Sequence, residues 1–458
     1  MSSLSLQIAE FSANLNFDEI PDRVLQRVKL HLLDTLGVGL LGRSASPSIA
    51  VRKVVERYGG VGESTILGES AVKAPAPIAA LVNGTYCHSF DFDDVHALSV
   101  LHPGAPVIPG ILAVAESVGA SGRELLTALT IGYETVLRLG VAQFDPSTRN
   151  SVFFEDGFHA TSILGAVAAA VGCARLKGLS VEQTADALAI ACSMGAGILE
   201  ANRSGGTVKP VHCGWSAHSG VFAAELAMSG ITGPRTVLEG GFGFFPAFCR
   251  DRWSREPLET IGSGKWEIDT LGIKPYPCNG FTHAIVDAAM ELRGMGLDPS
   301  EIVRIEIGTA APSWRTIGDP IEEKRSPRSP YHAAFSAPFV FAVSFLGGGG
   351  LGLGLGDVTH ERLDDPETRR LMSLCDVIID EECTRLFPSY SSAVVRVVLD
   401  DGETKESRIR AARGTRDNPL TRDEVLLKLG DTAGSRALSL AAAVDELESA
   451  DAVGALLA

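Results

Sequence analysis

The sequence has little positive charge for its length and no Lys/Arg-rich run. Its 458 residues include 40 Lys and Arg against 56 Asp and Glu, which gives a formal net charge of −16. Nucleic acids and anionic membrane surfaces bind through a basic face. We therefore expect neither as a partner. A small anionic substrate stays open, because a local positive pocket dominates at short range.

The sequence also lacks paired cysteines, a leader-like start and a long apolar run. The eight cysteines are scattered, with no CxxC pair, and are typical of reduced, buried thiols in a cytoplasmic protein. The N-terminus has no basic start followed by an apolar stretch, so we expect no signal peptide. The longest apolar runs, such as 163–174, suit a buried helix better than a membrane span.

Motifs for metals and nucleotides are missing as well. There is no HExxH and no His-x-Asp pair at helical spacing, so we predict no metal. A glycine-rich run at 346–357 reads LGGGGLGLGLGD, without the Gly-Lys-Ser/Thr ending or the strand-loop-helix frame of a phosphate loop. We predict a flexible loop there, acting as a gate at a domain junction.

The pattern of apolar residues predicts a mainly α protein. Helical spacing covers 17–42, 45–57, 74–87, 122–141, 160–177, 181–199 and 215–229, and no strand is expected before about residue 265. Prolines at 103, 106 and 109 delay the next helix until about Gly110.

The second part of the chain has predicted strands between its helices. Strands are predicted over 269–277, 303–310 and 392–409, the last as a hairpin, with helices over 282–295, 330–346 and 366–374. From about residue 418 the pattern is helical again. We predict a large all-α domain over 1–267, a smaller inserted α+β domain over 268–412, and helices over 413–458 that return to the first domain.

Titratable residues are concentrated in one short segment. Residues 88–104 read HSFDFDDVHALSVLHPG and hold three aspartates, 91, 93 and 94, and three histidines, 88, 96 and 102. Such groups are rarely buried without a partner or a role. The alternative is an acidic surface turn with solvated side chains.

Four further polar residues fall at or near predicted helix starts. They are His159 in GFHATS, Lys209 and His212 in GTVKPVHCGWS, and His283 in KPYPCNGFTHA. Helix N-termini attract carboxylates and disfavour a second proton on an imidazole. Together these residues predict an anion pocket with neutral histidines as bases and Lys209 as a fixed charge. The alternative is that they only cap their helices. We interpret His31, His218, His332 and His360 as structural or surface residues.

Five ordered stretches resemble the MmgE/PrpD family, which includes 2-methylcitrate dehydratase, cis-aconitate decarboxylase and iminodisuccinate epimerase. They read AALVNGTYCHSFDFDDVH, LHPGAPVIPGILAVAE, GFHATSILGAVAAA, KPVHCGWSAHSG with AAELAMSGITGP, and KPYPCNGFTHA. The resemblance runs from about Ile8 to the C-terminal helices. Two departures stand out: Val95 replaces a threonine that follows DFDD in relatives, and TVKPVH replaces a TKRLH-like text.

The resemblance implies a fold, an assembly and a site. The α+β domain would be a lid, and the protein a cytoplasmic homodimer without metal or organic cofactor. The site between the domains would use Asp91, His102, His159, Lys209 and His283 in catalysis. His159 would be the acid/base residue, with His102 and Asp91 as its counterpart and orienter. Lys209, His212 and His283 would bind the substrate carboxylates.

These observations predict an enzyme acting on a small di- or tricarboxylate by proton transfer next to a carboxylate. The leading hypothesis is a hydro-lyase similar to 2-methylcitrate dehydratase, and the alternatives are an epimerase, a racemase or a decarboxylase of a similar substrate. DFDD also fits the DxDD motif of terpene cyclases, but aromatic residues are only 6% and cannot wall a carbocation pocket. A non-enzymatic metabolite-binding dimer is the remaining alternative.

Overall fold

The computed structural model describes residues 2–457 and is mainly helical. The chain forms two compact units, one of Met1–Leu271 with Thr432–Ala458, the other of Gly272–Asp431. The first boundary lies close to the predicted 267/268. The second lies after Asp431 instead of 412, because most of the helix Arg422–Ala433 belongs to the second unit.

The first unit is a helical assembly with a few short strands. Its α-helices are α1 Leu4–Asn14, α2 Asp22–Gly42, α3 Ser46–Val55, α4 Ala76–His88, α5 Gly104–Ser117, α6 Gly122–Ala142, α7 Val152–Glu155, α8 Ala160–Leu176, α9 Val181–Met194, α10 Ala201–Ser204, α11 Lys209–Met228, α12 Phe244–Cys249 and α13 Glu256–Glu259. Its strands are β1 Ser64–Ile66, β2 Glu69–Ala74, β3 Asp94–Val95, β4 Phe144–Asp145 and β5 Asn150–Ser151.

Two sequence predictions for this unit are wrong. The segment 64–74 forms an antiparallel hairpin of β1 and β2 where no strand was expected. Helix α5 begins at Gly104 and not near Gly110. Pro106 is tolerated because the first turn of a helix needs no amide donors, and Pro109 lies inside the helix.

The predicted burial of apolar helices and thiols is confirmed. All eight cysteines are free and buried. Helix α6 is long and apolar enough to cross a membrane by length and composition alone, but 94% of its apolar window is buried inside the fold. That is the placement of a core helix.

Small residues let α4 and α11 cross at very close range. A Cβ added to Gly84 of α4 would lie 2.9 Å from Gly214 Cα of α11. A Cβ added to Gly214 would overlap the Leu81 carbonyl oxygen and the Thr85 hydroxyl. The contact brings His88, at the end of α4, close to the first turn of α11.

We expect Gly214→Ala to destabilise the protein by about 1–3 kcal/mol, because the added methyl group pushes two packed helices apart. Turnover should fall as well, since the first turn of α11 moves with the helix. Thermal unfolding and activity measure both effects. Gly430→Ala is the matched control, because Gly430 lies in the helix Arg422–Ala433 with nothing within 4 Å of an added Cβ. Equal thermal midpoints for the two variants would contradict the close crossing.

The second unit combines helices with one sheet. Its α-helices are α14 His283–Gly294, α15 Ala311–Ile317, α16 Ile321–Arg325, α17 Pro330–Ala333, α18 Ala337–Leu346, α19 His360–Asp364, α20 Pro366–Leu374, α21 Glu381–Leu386 and α22 Arg422–Ala433. Its strands are β6 Gly272–Ile273, β7 Ile302–Thr309, β8 Cys375–Ile379, β9 Ala393–Leu399 and β10 Thr404–Ile409. The chain then returns to the first unit with α23 Ala437–Asp445.

Four of these strands form a sheet in the order β10-β9-β7-β8. The predicted hairpin is confirmed as the antiparallel pair β9 and β10, in which Thr404 pairs with Val398. Strands β7 and β8 are parallel. The strand predicted over 269–277 is wrong, since only Gly272–Ile273 is extended as a strand and Pro275 and Pro277 offer no amide donors to a ladder.

Backbone amides of the glycine-rich run 346–357 donate hydrogen bonds to the Asp357 carboxylate in the same run. The Gly349 and Gly354 amides donate to Asp357 Oδ2 at 2.6 and 2.8 Å. Arg362 lies 3.4 Å from Asp357 Oδ1. These two amides are thus already bonded to a carboxylate, and the absence of a nucleotide stays a prediction. The role of the run as a gate stays a prediction.

Candidate active site

The predicted Asp/His segment is a loop between two helices of the first unit. Helix α4 ends at His88, and α5 begins at Gly104. Asp93 and Asp94 are fully buried, whereas the Asp91 side chain is 34% exposed. The alternative of a solvated acidic turn is therefore wrong for two of the three aspartates.

Asp94 anchors this loop to the helices around it. Its Oδ1 accepts from the Gly104 amide at 2.9 Å, at the positive N-terminus of α5. Its Oδ2 accepts from the Tyr133 hydroxyl at 3.3 Å and lies 3.4 Å from His31 Nδ1. His31 is buried, as predicted for a core residue. Asp94 therefore holds the loop in place rather than facing a substrate.

Part of the loop backbone is strained. Asp91 has φ 52° and Val100 has φ 50°. The left-handed region costs a residue with a side chain roughly 1–2 kcal/mol and is especially unfavourable for a β-branched one. Such conformations persist only where surrounding contacts impose them and are common at functional sites.

His102 has one fixed tautomer. Its amide donates to Thr161 Oγ1 at 3.1 Å, and its Nδ1 lies 2.7 Å from the Asp94 carbonyl oxygen. A carbonyl only accepts, so Nδ1 carries the proton. In the neutral ring, Nε2 is then a proton acceptor, and it lies 3.8 Å from Asp91 Oδ1.

His159 and His212 form a second imidazole pair. His159 directly precedes α8 and His212 lies in the first turn of α11, as predicted for helix starts. Their Nδ1 atoms are 3.2 Å apart, so one ring must donate to the other. The buried Nε2 of His159 has no hydrogen-bond partner among the described residues. An orphaned N–H there would be more costly than a bare acceptor, so we assign the Nδ1 proton to His159.

Lys209 supplies a fixed cation. It is the first residue of α11, and its Nζ lies 3.1 Å from Asp91 Oδ1. Burial lowers the pKa of Lys209, but the charge and hydrogen bond of Asp91 outweigh it and raise that pKa above the usual value. The Lys209 side chain is 22% exposed, so the lysine is partly open to solvent while it stays charged.

The surroundings keep His159 and His212 neutral. Burial, followed by the charges of His88, Lys209, His212 and His102, lowers the pKa of His159 well below its usual value. Burial, then His88 and Lys209, lowers the pKa of His212. Neutral imidazoles beside a permanent ammonium can remove a proton from an anionic substrate that the ammonium binds.

Sequence analysis assigned no role to the pair of His88 and Asp93. His88 Nδ1 lies 2.7 Å from Asp93 Oδ2, and both side chains are buried. The His88 ring centre lies 5.2 Å from that of His102 and 5.6 Å from that of His159. The only available signal was the density of Asp and His in 88–104, which does not reveal which aspartate meets which histidine. Histidines 88, 102, 159 and 212 are called the histidine cluster below.

His283 belongs to the second unit, where it is the first residue of α14. The ring is buried, and its Nε2 lies 3.3 Å from the Cys278 carbonyl oxygen, to which it donates. Tyr276 packs edge-on against it at 5.4 Å. Lys274 in the same segment is also buried, with 4% exposed. The structure therefore brings Asp91, His102, His159, Lys209 and His212 together in one unit and places His283 in the other.

The remaining histidines are structural or exposed. His96 is buried and 2.6 Å from Ser99 Oγ, and burial lowers its pKa to about 4. His218 donates to the Pro77 carbonyl oxygen at 3.0 Å and stacks on Trp215. His332 and His360 are exposed.

One group of side chains has the spacing of a metal site. Ligand atoms of His88, Asp91 and Asp93 lie within 4.8 Å of one another. His88 and Asp93 already bond to each other, and Asp91 pairs with the Lys209 ammonium. Because a cation would have to displace that ammonium, we assign no metal here, and the absence of one stays a prediction.

Comparisons with known proteins match both parts of the chain. The MmgE/PrpD N-terminal domain matches residues 6–256 and the MmgE/PrpD C-terminal domain matches residues 276–449. The chain is 30% identical to a human cis-aconitate decarboxylase over 440 residues, 93% of this chain and 86% of the relative. It is 27% identical to a cis-aconitate decarboxylase of Aspergillus terreus over 456 residues, 95% of this chain and 90% of that protein. A cis-aconitate decarboxylase-like protein of Aspergillus oryzae is 27% identical over 453 residues, 94% of this chain and 91% of that protein.

The matches cover the segments that carry the loop 89–103, His159, Lys209 and His283. The first matched domain lies within the helical unit, and the second covers most of the smaller unit together with residues 432–449 of the helical unit. On these matches the chain belongs to the MmgE/PrpD family.

Proposed function

We propose that this protein is a lyase acting on a small di- or tricarboxylate, with decarboxylation of cis-aconitate or a close analogue as its first candidate reaction. The observation that carries the proposal is the Lys209 ammonium on Asp91, next to buried imidazoles that can exchange a proton at Nε2. The names of the aligned relatives favour decarboxylation over the hydro-lyase reaction that sequence analysis ranked first.

Decarboxylation of an unsaturated tricarboxylate needs a proton donor and an anion site. A proton adds to the alkene CH carbon, while the other alkene carbon stays in the double bond that forms next. The C–C bond to a second carboxylate, on the neighbouring methylene, breaks, and its electron pair forms the new double bond as CO2 leaves. Lys209 would hold a substrate carboxylate, and a histidine that has taken up a proton from water would deliver it to carbon.

The bound substrate itself would make that proton available. In the free protein His159 resists protonation because it is buried beside other cationic groups. Several substrate carboxylates would offset that positive charge and stabilise an imidazolium. Within this proposal His159 delivers the proton, His102 and Asp91 orient the reacting carbon, and His212 assists His159 through their shared hydrogen bond.

Dehydration of a hydroxy-acid is the second candidate. The lowered pKa of His159 favours it, since a neutral imidazole can remove a proton next to a carboxylate without first being deprotonated. Hydroxide would then leave with a proton from a second group such as His102. Epimerisation would return the proton to the opposite face.

The proposal also includes the second unit, the assembly and the location. We infer that the unit Gly272–Asp431 acts as a lid over the site and contributes His283, with buried Lys274 beside it in sequence, as carboxylate ligands. We also infer a cytoplasmic homodimer that works without an organic cofactor. Light scattering of the purified protein tests whether it is a dimer. The variant His283→Gln tests the proposed carboxylate ligand, and we expect it to raise KM more than it lowers kcat.

Proton NMR in D2O with cis-aconitate, citrate, 2-methylcitrate and substituted malates tests the reaction. We expect the alkene CH signal of cis-aconitate to give way to two terminal-methylene signals, with deuterium at the protonated carbon and release of CO2. A new alkene signal from a hydroxy-acid would instead identify dehydration, and loss of an α-proton signal alone would identify epimerisation.

His332→Gln is the matched control, since His332 is exposed in the second unit. It should react like wild type, with or without a chelator. Unchanged spectra for every substrate with folded wild-type protein would contradict the proposed function.

A further inference from the structure

The buried pair of His88 and Asp93 has no role in the chemistry described so far. His88 is 1% exposed and Asp93 is 0% exposed. His88 Nδ1 donates a hydrogen bond to Asp93 Oδ2 at 2.7 Å. A carboxylate accepts but does not donate, so this contact fixes the His88 tautomer. The Nε2 of His88 is buried without a hydrogen-bond partner among the described residues.

His88 occupies the centre of the histidine cluster. Its ring lies beside both proposed proton-exchanging rings, 5.2 Å from His102 and 5.6 Å from His159 between centres. Asp93 Oδ1 lies 3.6 Å from His102 Nδ1. The pair therefore lies beside both imidazoles that are proposed to exchange protons.

A His–Asp pair with only a structural role would differ in its hydrogen bonding. Buried structural histidines usually bond through both ring nitrogens, because an unmet polar atom costs about 1–3 kcal/mol. His88 leaves Nε2 unmet although it sits at the end of α4 among polar side chains. A charge on His88 would act strongly on the neighbouring side chains, because little water is present to screen it.

We propose that His88, held by Asp93, is a positioning residue that fixes the rings of His102 and His159 and keeps His159 free of a proton until an anionic substrate binds. This inference rests on the proposed function for its catalytic meaning. The pair itself can be tested without any substrate.

Charged and titratable groups surround His159 on three elements of the fold. His88 faces it from α4, His102 with Asp91 and Asp93 from the loop, and Lys209 with His212 from α11. After burial, the charge of His88 is the largest cause that lowers the pKa of both His159 and His212.

Histidine NMR of the protein without substrate tests the inference. The wild-type His159 signal, identified by its loss in His159→Gln, should titrate well below pH 6.5. In His88→Gln, whose amide can still donate to Asp93, the His159 midpoint should rise by roughly one pH unit, since a nearby like charge has been removed. His218→Gln, on the far part of α11, should leave the midpoint unchanged.

Turnover gives a second readout if the proposed function holds. The limb of the kcat/KM profile that reports His159 should move to higher pH in His88→Gln, with kcat lowered more than KM is raised. This is the basic limb if His159 delivers a proton and the acidic limb if it removes one. A wild-type His159 that titrates near 6.5, or a folded His88→Gln with the wild-type midpoint, would overturn the inference. Absence of turnover alongside the expected shift would overturn the proposed function only. Should His88→Gln fail to fold, His88→Asn, which also removes the imidazole, is measured in the same way, and a wild-type His159 midpoint there would overturn the inference.

Discussion

Replacement of Lys209 by glutamine should lower kcat/KM for the carboxylate substrate by about 10²–10³-fold, the usual effect of removing one group that stabilises developing negative charge. The Lys209 ammonium group lies 3.1 Å from Asp91 Oδ1 and carries a fixed positive charge at the site. Its raised pKa keeps it charged over the whole working range, so the loss should be equal at pH 6 and pH 9.

The fold should survive this change. Both partners of the Lys209–Asp91 pair are partly exposed, and such pairs contribute no more than about 1 kcal/mol. Lys177→Gln is the matched control, because Lys177 follows the C-terminal end of α8 and pairs with Glu225 at 3.6 Å. A Lys209 variant with wild-type kcat/KM would place the anion site elsewhere.

His159→Gln should lower kcat by about 10²–10⁴-fold, the range for loss of a positioned acid or base. Glutamine can still donate to His212, so the loss reports the missing proton exchange rather than a broken contact. Steady-state kinetics with the NMR product assay measures it. His218→Gln should keep wild-type kcat, and a His159 variant that does so would remove this residue from the mechanism.

The same residue should also make stability depend on pH. The pKa of His159 is lowered in the folded state, so below about pH 6.5 the unfolded chain binds a proton that the folded chain does not. Stability contributed in this way is complete above 6.5 and falls as the pH falls. His96 and His212 act in the same direction. His159→Gln should therefore lose less thermal stability between pH 7 and pH 5 than wild type loses, and an equal loss would show that His159 does not titrate in this way.

Local sequence signals were sufficient where a residue's role depends on its own helix. The starts of α8 and α14 were predicted to within one residue, and with them the places of His159 and His283. Helix α11 begins at Lys209, six residues before the predicted 215, so Lys209 was expected near a helix start and lies within the helix. The apolar spacing of the large unit and the hairpin of β9 and β10 were visible for the same reason.

The partners of the three aspartates could not be predicted. Asp91 meets Lys209 from α11, Asp93 meets His88 from the preceding helix, and Asp94 meets Gly104 and Tyr133. These contacts depend on how helices cross, and no local pattern records that. The early start of α5 was missed because proline was treated as a helix breaker, although its first turn requires no amide donor.

The glycine contact between α4 and α11 also limits how the site can move. Sliding either helix by one turn, about 5.4 Å, would drive side chains into the backbone of the other at Gly84 and Gly214. His88 and the first turn of α11 therefore travel as one rigid body. Adjustment to a substrate would then fall to the loop 89–103, where Asp91 and Val100 hold costly left-handed conformations. Movement of the loop that carries Asp91 would then accommodate substrates of different length, while Lys209 in the first turn of α11 keeps its position.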